Sequence, residues 1–281
     1  MVKTMKKALA IPLFLASTAS AFGPSSLAIQ GRAALARTDS LEKSLEPKSS
    51  LLRRSRSLST LFIATNDEVK DPSTLISAQD DDKQQQSFAL ICGGVFTGSL
   101  VFLQLYNFLE AVLPESIFAP FYTVLPYVLS TAFCSAGIAH FALEDTFTSF
   151  VPPKGSWGGL WQVPSPGADQ LGLTYEQYHS FWSGIAEVLV GFSLIVTTAS
   201  ANGLSVPFLG DSLGLSATTI PCVLMWCITA AVTPANIYMY THNPVVPRIP
   251  ALPYPWGHGA RGLLQCALLA VFAKLTLHSL A

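Results

Sequence analysis

Five apolar runs separated by polar loops constrain this chain more than any other feature: 88–113, 121–141, 181–201, 217–240 and 262–280. A helix rises 1.5 Å per residue, so about 20 apolar residues cross a hydrocarbon core roughly 30 Å thick. The run lengths therefore predict five transmembrane helices, an all-α polytopic bundle occupying 88–281 with the lipid bilayer as its principal partner. The composition agrees, because 12% charged residues is about half the usual share of a soluble domain. Gly94 and Gly98 form a small-xxx-small pair suited to close helix packing. Pro126, Pro221 and Pro234 lie within or near the ends of runs, where they are expected to bend the helices.

The charges are unevenly placed. Ten of the 16 Lys and Arg fall within residues 1–56, whereas six bases face fourteen acids from Asn66 onward. The near-neutral total thus combines a basic leader with an acidic remainder, and no basic face remains that suits nucleic acid. Residues 1–21 have a basic start (Lys3, Lys6, Lys7), a short apolar stretch over 8–16 and an Ala19-Ser20-Ala21 cleavage site, which is the pattern of a signal peptide. Residues 22–65 are rich in Ser, Ala, Leu and Arg and poor in acids, as organelle transit peptides are. Residues 66–87, with Asp80-Asp81-Asp82 and Gln84-Gln85-Gln86, read as a disordered acidic linker. The Ala19-Ser20-Ala21-Phe22 junction followed by Gly23-Pro24 resembles the bipartite plastid presequence of diatoms and related algae. That resemblance implies a multi-pass protein of a plastid membrane, thylakoid or envelope.

Five spans place the chain ends on opposite sides. The side holding the linker also receives the long loops 144–180 and 241–260, with Lys70, Lys83, Lys154, Arg248 and Arg261. The other side carries Glu115 and Asp211, with Lys274 expected to snorkel outward. The excess of bases marks the first side as stroma-like.

Polar residues inside spans are the informative ones, because a charge at mid-helix costs about 2.5–3.5 kcal/mol on insertion scales. His140, Glu187, Asn236, Arg261 and Gln265 all fall within roughly two turns of the linker side when the chain is traced back and forth. Gly184, Glu187 and Gly191 share one helical face, as do Gly137, His140 and Glu144, and as do Arg261 and Gln265. The five residues form a candidate polar pocket, with Glu187 and Arg261 expected to pair and with Asn236 and Gln265 bonding to them. Three readings stay open: an ion pair that fixes helix register, a pocket for a small ligand or quinone-like molecule, or a haem or metal site. His140, His179, His242 and His258 on that side keep the haem alternative in view. The five cysteines show no CxxC or Cys/His zinc spacing and read as small core residues, so no metal site is assigned. No nucleophile triad, nucleotide loop or paired catalytic carboxylates stand out.

Four strings, in order, resemble the helices of DoxX-like membrane proteins. They are Ala136-Gly137-Ile138-Ala139-His140-Phe141, Ser183-Gly184-Ile185-Ala186-Glu187-Val188-Leu189-Val190-Gly191, Thr233-Pro234-Ala235-Asn236-Ile237-Tyr238-Met239 and Arg261-Gly262-Leu263-Leu264-Gln265. The resemblance covers 121–280 and implies a four-helix core, to which 88–113 is an added span. The loop 144–180 is longer than in such proteins, and Leu263 stands where they often have Pro. The resemblance implies a redox-linked accessory subunit that binds a quinone-like or other small apolar ligand near the stromal face. The alternative it leaves open is a non-enzymatic assembly or scaffold factor for other membrane proteins.

Overall fold

The structure, a computed structural model, describes residues 71–203 and 218–280. The signal and transit segments 1–65, the start of the linker, Asp211 and the rest of 204–217 lie outside the described residues. Among those described, all regular structure is helical. Ten α-helices follow two short 3-10 turns: α1 (Asp81–Val112), α2 (Glu115–Phe118), α3 (Pro120–Thr123), α4 (Leu125–Ala142), α5 (Glu144–Thr148), α6 (Ala168–Leu171), α7 (Tyr175–Ala201), α8 (Thr219–Ala231), α9 (Thr233–His242) and α10 (Trp256–Leu280). They make up five helical stretches long and apolar enough to cross a membrane: α1, Glu115–Ala142, α7, Thr219–His242 and α10. The chain is a multi-pass, all-α membrane protein.

Helix boundaries follow local chemistry. The acidic stretch read as linker enters the fold, and α1 begins at Asp81 rather than at 88. Asp81 and Asp82 lie in its first turn, where carboxylates meet the positive end of the helix dipole. α7 likewise starts six residues before 181. Thr174 Oγ1 accepts from the Gln177 N–H at 3.2 Å, and Gln177 Oε1 accepts from the Thr174 N–H at 2.8 Å, a reciprocal capping box. Pro126 and Pro234 occupy first turns, of α4 and α9, where a missing N–H is tolerated. Pro234 thus separates α8 from α9 instead of bending one helix.

Four helices, α4, α7, α8 and α10, share one core of Leu129, Leu194, Cys222, Met225, Phe272 and their neighbours. In lipid such side chains hold the helices together by close packing rather than by leaving water. α1 packs outside this core on α10, with Val95 against Cys266 and Leu269. Gly98 allows the approach, because a Cβ there would meet Cys266 Sγ at 2.8 Å. Gly94 has nothing within 4 Å, so only half of the expected Gly-xxx-Gly pair is used. α1 and α10 run parallel: Gly98 lies beside Cys266, and further on Asn107 and Glu110 reach Lys274. Lys274 does not snorkel away. It donates to Asn107 Oδ1 at 2.7 Å and to Glu110, whose Oε1 accepts from Tyr122.

The long loops close one end of the bundle. Trp157 is fully buried, and its Nε1 donates to Thr241 Oγ1 at 3.0 Å. Its ring packs on Phe88, Trp161 and His242. Gln85 donates to the Gly158 carbonyl, Thr146 to the Pro247 carbonyl, and Arg248 to Asp145. The start of α1, the loop before α7 and the loop before α10 are therefore tied together.

Candidate functional site

α4 and α7 meet at backbone contact. A Cβ on Gly137 would lie 2.5 Å from the Gly184 carbonyl oxygen, and one on Gly184 would lie 2.7 Å from His140 Cβ. Only glycine at both positions permits this approach. The helices are antiparallel, since further along α7 Gly191 faces Ser130 and Cys134. The shared face of Gly184, Glu187 and Gly191 read from the sequence is the face that packs on α4. In this seam His140 (8% exposed) and Glu187 (6% exposed) are buried together. His140 Nε2 lies 3.7 Å from Glu187 Oε2. On the other side of the ring, Nδ1 lies 3.1 Å from Ser180 Oγ and 3.5 Å from Ser183 Oγ. Glu187 Oε2 has no hydrogen-bond partner.

A second polar group joins α8, α9 and α10. Arg261 Nη2 donates to Asn236 Oδ1 at 2.7 Å, and Asn236 Nδ2 donates to Gln265 Oε1 at 2.9 Å. Gln265 Nε2 donates to Thr233 Oγ1 at 2.9 Å and to the Thr229 carbonyl at 2.5 Å. The Thr229 carbonyl, in the last turn of α8, also accepts from Thr233 Oγ1 at 3.3 Å. The Arg261 guanidinium also lies over the Phe150 ring, 5.6 Å from its centroid, a cation–π contact.

The five candidate residues thus form two groups rather than one pocket. The expected Glu187–Arg261 ion pair does not form: Glu187 faces His140, and Arg261 is bound to Asn236. Phe147 and Phe150 separate the groups, with Phe147 packed on the His140 ring at 4.0 Å and on Phe150 at 5.5 Å. Glu144 turns off the α4 face into α5 and accepts from Gln177 Nε2 at 2.6 Å.

A cavity of about 320 Å³ borders the second group, between α1, α9 and α10. Asn236 and Gln265 line it, together with apolar or aromatic Val95, Ile237, Tyr240 and Trp256. Gly259 and Gly262 form bare backbone wall, with nothing within 4 Å of where a Cβ would stand. His258 lines it too, buried, with neither ring nitrogen hydrogen-bonded and with Tyr240 and Tyr254 alongside. The first group, His140 and Glu187, does not border this cavity.

His258 was named from the sequence only for the haem alternative, and Tyr240, Thr233, Ser180 and Ser183 were not singled out as site residues. A signal existed for the first, because His258, Gly262 and Gln265 recur at i, i+4, i+7 on α10. Two histidines near helix ends are packed: His242 lies under Trp157, and His258 is 6% exposed. Among the described residues, no three His, Cys, Asp or Glu side chains converge as metal ligands would.

Fold and site together define a polytopic helical membrane protein with a four-helix core, a fifth helix packed on its outside and a ligand-sized cavity at that junction. No family model matches the chain, and neither a curated protein nor a solved structure matches it.

Proposed function

We propose that this protein is a plastid membrane subunit of DoxX-like type that binds a small, largely apolar, quinone-like molecule beside Asn236 and Gln265. The observation that carries the binding reading is the cavity at the α1–α9–α10 junction. It combines an apolar and aromatic wall with a few polar groups at one edge, the usual make-up of a small-molecule site. Asn236 keeps one N–H free after serving Gln265, and His258 has two unpartnered ring nitrogens. The Asn236 N–H can bond a carbonyl or hydroxyl at the ligand's edge, with the His258 ring beside it, while Trp256 and Tyr240 line its flat face. The redox assignment is supported by the four sequence strings, and the plastid location by the Ala19-Ser20-Ala21-Phe22 junction.

Two measurements test this. The purified protein is extracted for bound lipids and quinones and its absorbance spectrum recorded. A short-chain quinone is then titrated against the fluorescence of Trp256, which lines the cavity and is 82% exposed. Saturable quenching is expected in the native chain, weakened at least tenfold in Gly262→Leu. That substitution enters open space and fills the site. Equal quenching in both proteins would remove the cavity as the binding site.

The alternative is a non-enzymatic assembly or scaffold factor, and one observation favours it. The Arg261–Asn236–Gln265–Thr233 ladder, with the Thr229 carbonyl, is largely satisfied internally and joins three helices. Under that reading Gly262→Leu leaves the accumulation of partner complexes unchanged, whereas Gln265→Leu, which breaks the ladder, lowers it.

A further inference from the structure

The seam between α4 and α7 carries a group that the cavity reading leaves unused. We propose that His140 and Glu187 form a one-proton binding site within the membrane, loaded and emptied through Ser180 at the end closed by the loops.

The argument starts from hydrogen-bond roles. Ser183 Oγ donates to the Ser180 carbonyl at 2.9 Å, so its oxygen is left only to accept. The tautomer with its hydrogen on Nδ1 of His140 suits both serines, donating to Ser180 Oγ and, more weakly, to Ser183 Oγ. Nε2 of the neutral ring is then a bare acceptor. It faces Glu187 Oε2 at 3.7 Å, and that oxygen has no other partner. A bare nitrogen opposite an ionised carboxylate would set lone pair against lone pair in a buried site. One proton between them removes this conflict, whether it rests on the carboxyl and is donated to Nε2 or rests on Nε2 and pairs with the carboxylate.

Among the described residues, no other charged group is paired with Glu187. From α4, Cys134 Sγ donates to the Val188 carbonyl at 3.6 Å. From α5, Glu144 is held by Gln177. From α8, Cys222 lies in the shared core and Cys227 is exposed. From α10, Arg261 is taken by Asn236, and Lys274 is bound to Glu110 beside Asn107. The Gly137–Gly184 contact holds the two helices together beside the pair. A proton can be taken up there without moving the helices.

The imidazole lies between the two ends of a path. Nε2 faces Glu187, deeper along α7, and Nδ1 faces Ser180, seven residues nearer the start of that helix. Proton loss through Ser180 leaves a carboxylate without a counter-charge at the glycine contact. The helices must then part to admit water, so the seam is tight when loaded and loosens as pH rises.

The full chain in lipid bilayers tests this through two spectra recorded across pH. Infrared difference spectra report a protonated carboxyl, and ¹⁵N signals of labelled histidine report the ring as neutral or doubly protonated. At neutral pH exactly one of the two groups should carry the extra proton, and it should be lost on alkaline titration. Glu187→Gln, whose amide imitates the protonated carboxyl, should lack that transition and keep at alkaline pH the thermal stability that the native chain loses. A neutral ring beside an ionised carboxylate at neutral pH would overturn the proposal. So would an alkaline transition that persists unchanged in E187Q. Should E187Q fail to accumulate, the native spectra decide alone, with Glu187→Asp shifting any carboxyl band that belongs to the site.

Discussion

Arg261 and Asn236 are joined by a 2.7 Å hydrogen bond, and the same Asn236 side chain donates to Gln265 at 2.9 Å. One amide therefore receives a partly buried charge from α10 on its oxygen and returns a hydrogen bond to α10 through its nitrogen. The guanidinium is provided for without any contact to the buried Glu187.

This arrangement predicts which substitutions interact. Asn236→Ala and Arg261→Gln should each lower thermal stability by about 1.5–3 kcal/mol, the range for hydrogen bonds to charged groups. Together they should lose clearly less than the sum. Glu187→Gln combined with Arg261→Gln should instead be additive within about 0.5 kcal/mol. Double-mutant cycles on detergent-solubilised protein read both results.

At the opposite end, Lys274 and Glu110 are unequal partners. The Lys274 side chain is 11% exposed and that of Glu110 39%. Glu110→Gln leaves a buried ammonium without its counter-charge, whereas Lys274→Met leaves a carboxylate that water can reach. Glu110→Gln should therefore be the more destabilising change, approaching the about 3–5 kcal/mol of a broken buried pair. Lys274→Met should cost about 1 kcal/mol or less. Equal losses in thermal melts would contradict the unequal burial.

The glycines offer a contrast within one chain. Gly184→Ala places a methyl 2.9 Å from the Gly137 carbonyl oxygen and 2.7 Å from His140 Cβ, an overpacking expected to cost about 1–3 kcal/mol. Gly94→Ala meets nothing within 4 Å and removes a flexible residue from a helix interior, so it should be neutral or stabilise by up to about 1 kcal/mol. Melting temperatures of the two variants should move in opposite directions or differ by several degrees.

Parallel packing of α1 on α10 puts the start of the first span and the end of the last at opposite ends of the bundle. Tags in the loops 149–167 and 243–255 should report the same side as residue 71, and a C-terminal tag the other side. A protease-protection assay on sealed vesicles reads this directly.

The presequence carries its own test. Residues 1–65 fused to a fluorescent protein should enter the plastid of a diatom-like cell, and Phe22→Ala should divert much of the fusion to other compartments. Secretion of the unmutated fusion would remove the plastid assignment while leaving the bundle untouched.

The sequence by itself determined the five spans, their order and the end of the bundle at which His140, Glu187, Asn236, Arg261 and Gln265 lie. Hydropathy and helical period are local properties, and a chain that must satisfy its backbone inside lipid has few alternatives to a helix. It also showed the Gly184–Glu187–Gly191 face, because residues three and seven apart align on any helix. The helix starts at Asp81 and Tyr175 lay further out than hydropathy suggests, since caps and dipoles, not apolarity, set them. Partner choice was decided by the tertiary structure alone. Depth and face placed Glu187 and Arg261 at one end, but which helix stands next to which is set by long-range packing. The glycine contact gives α7 to α4 and so Glu187 to His140. The packing of the α8–α9 junction against α10 puts Asn236 and the Thr229 carbonyl beside Arg261 and Gln265, and so gives those two their partners. Phe147 and Phe150, from a loop whose conformation hydropathy does not encode, complete the separation.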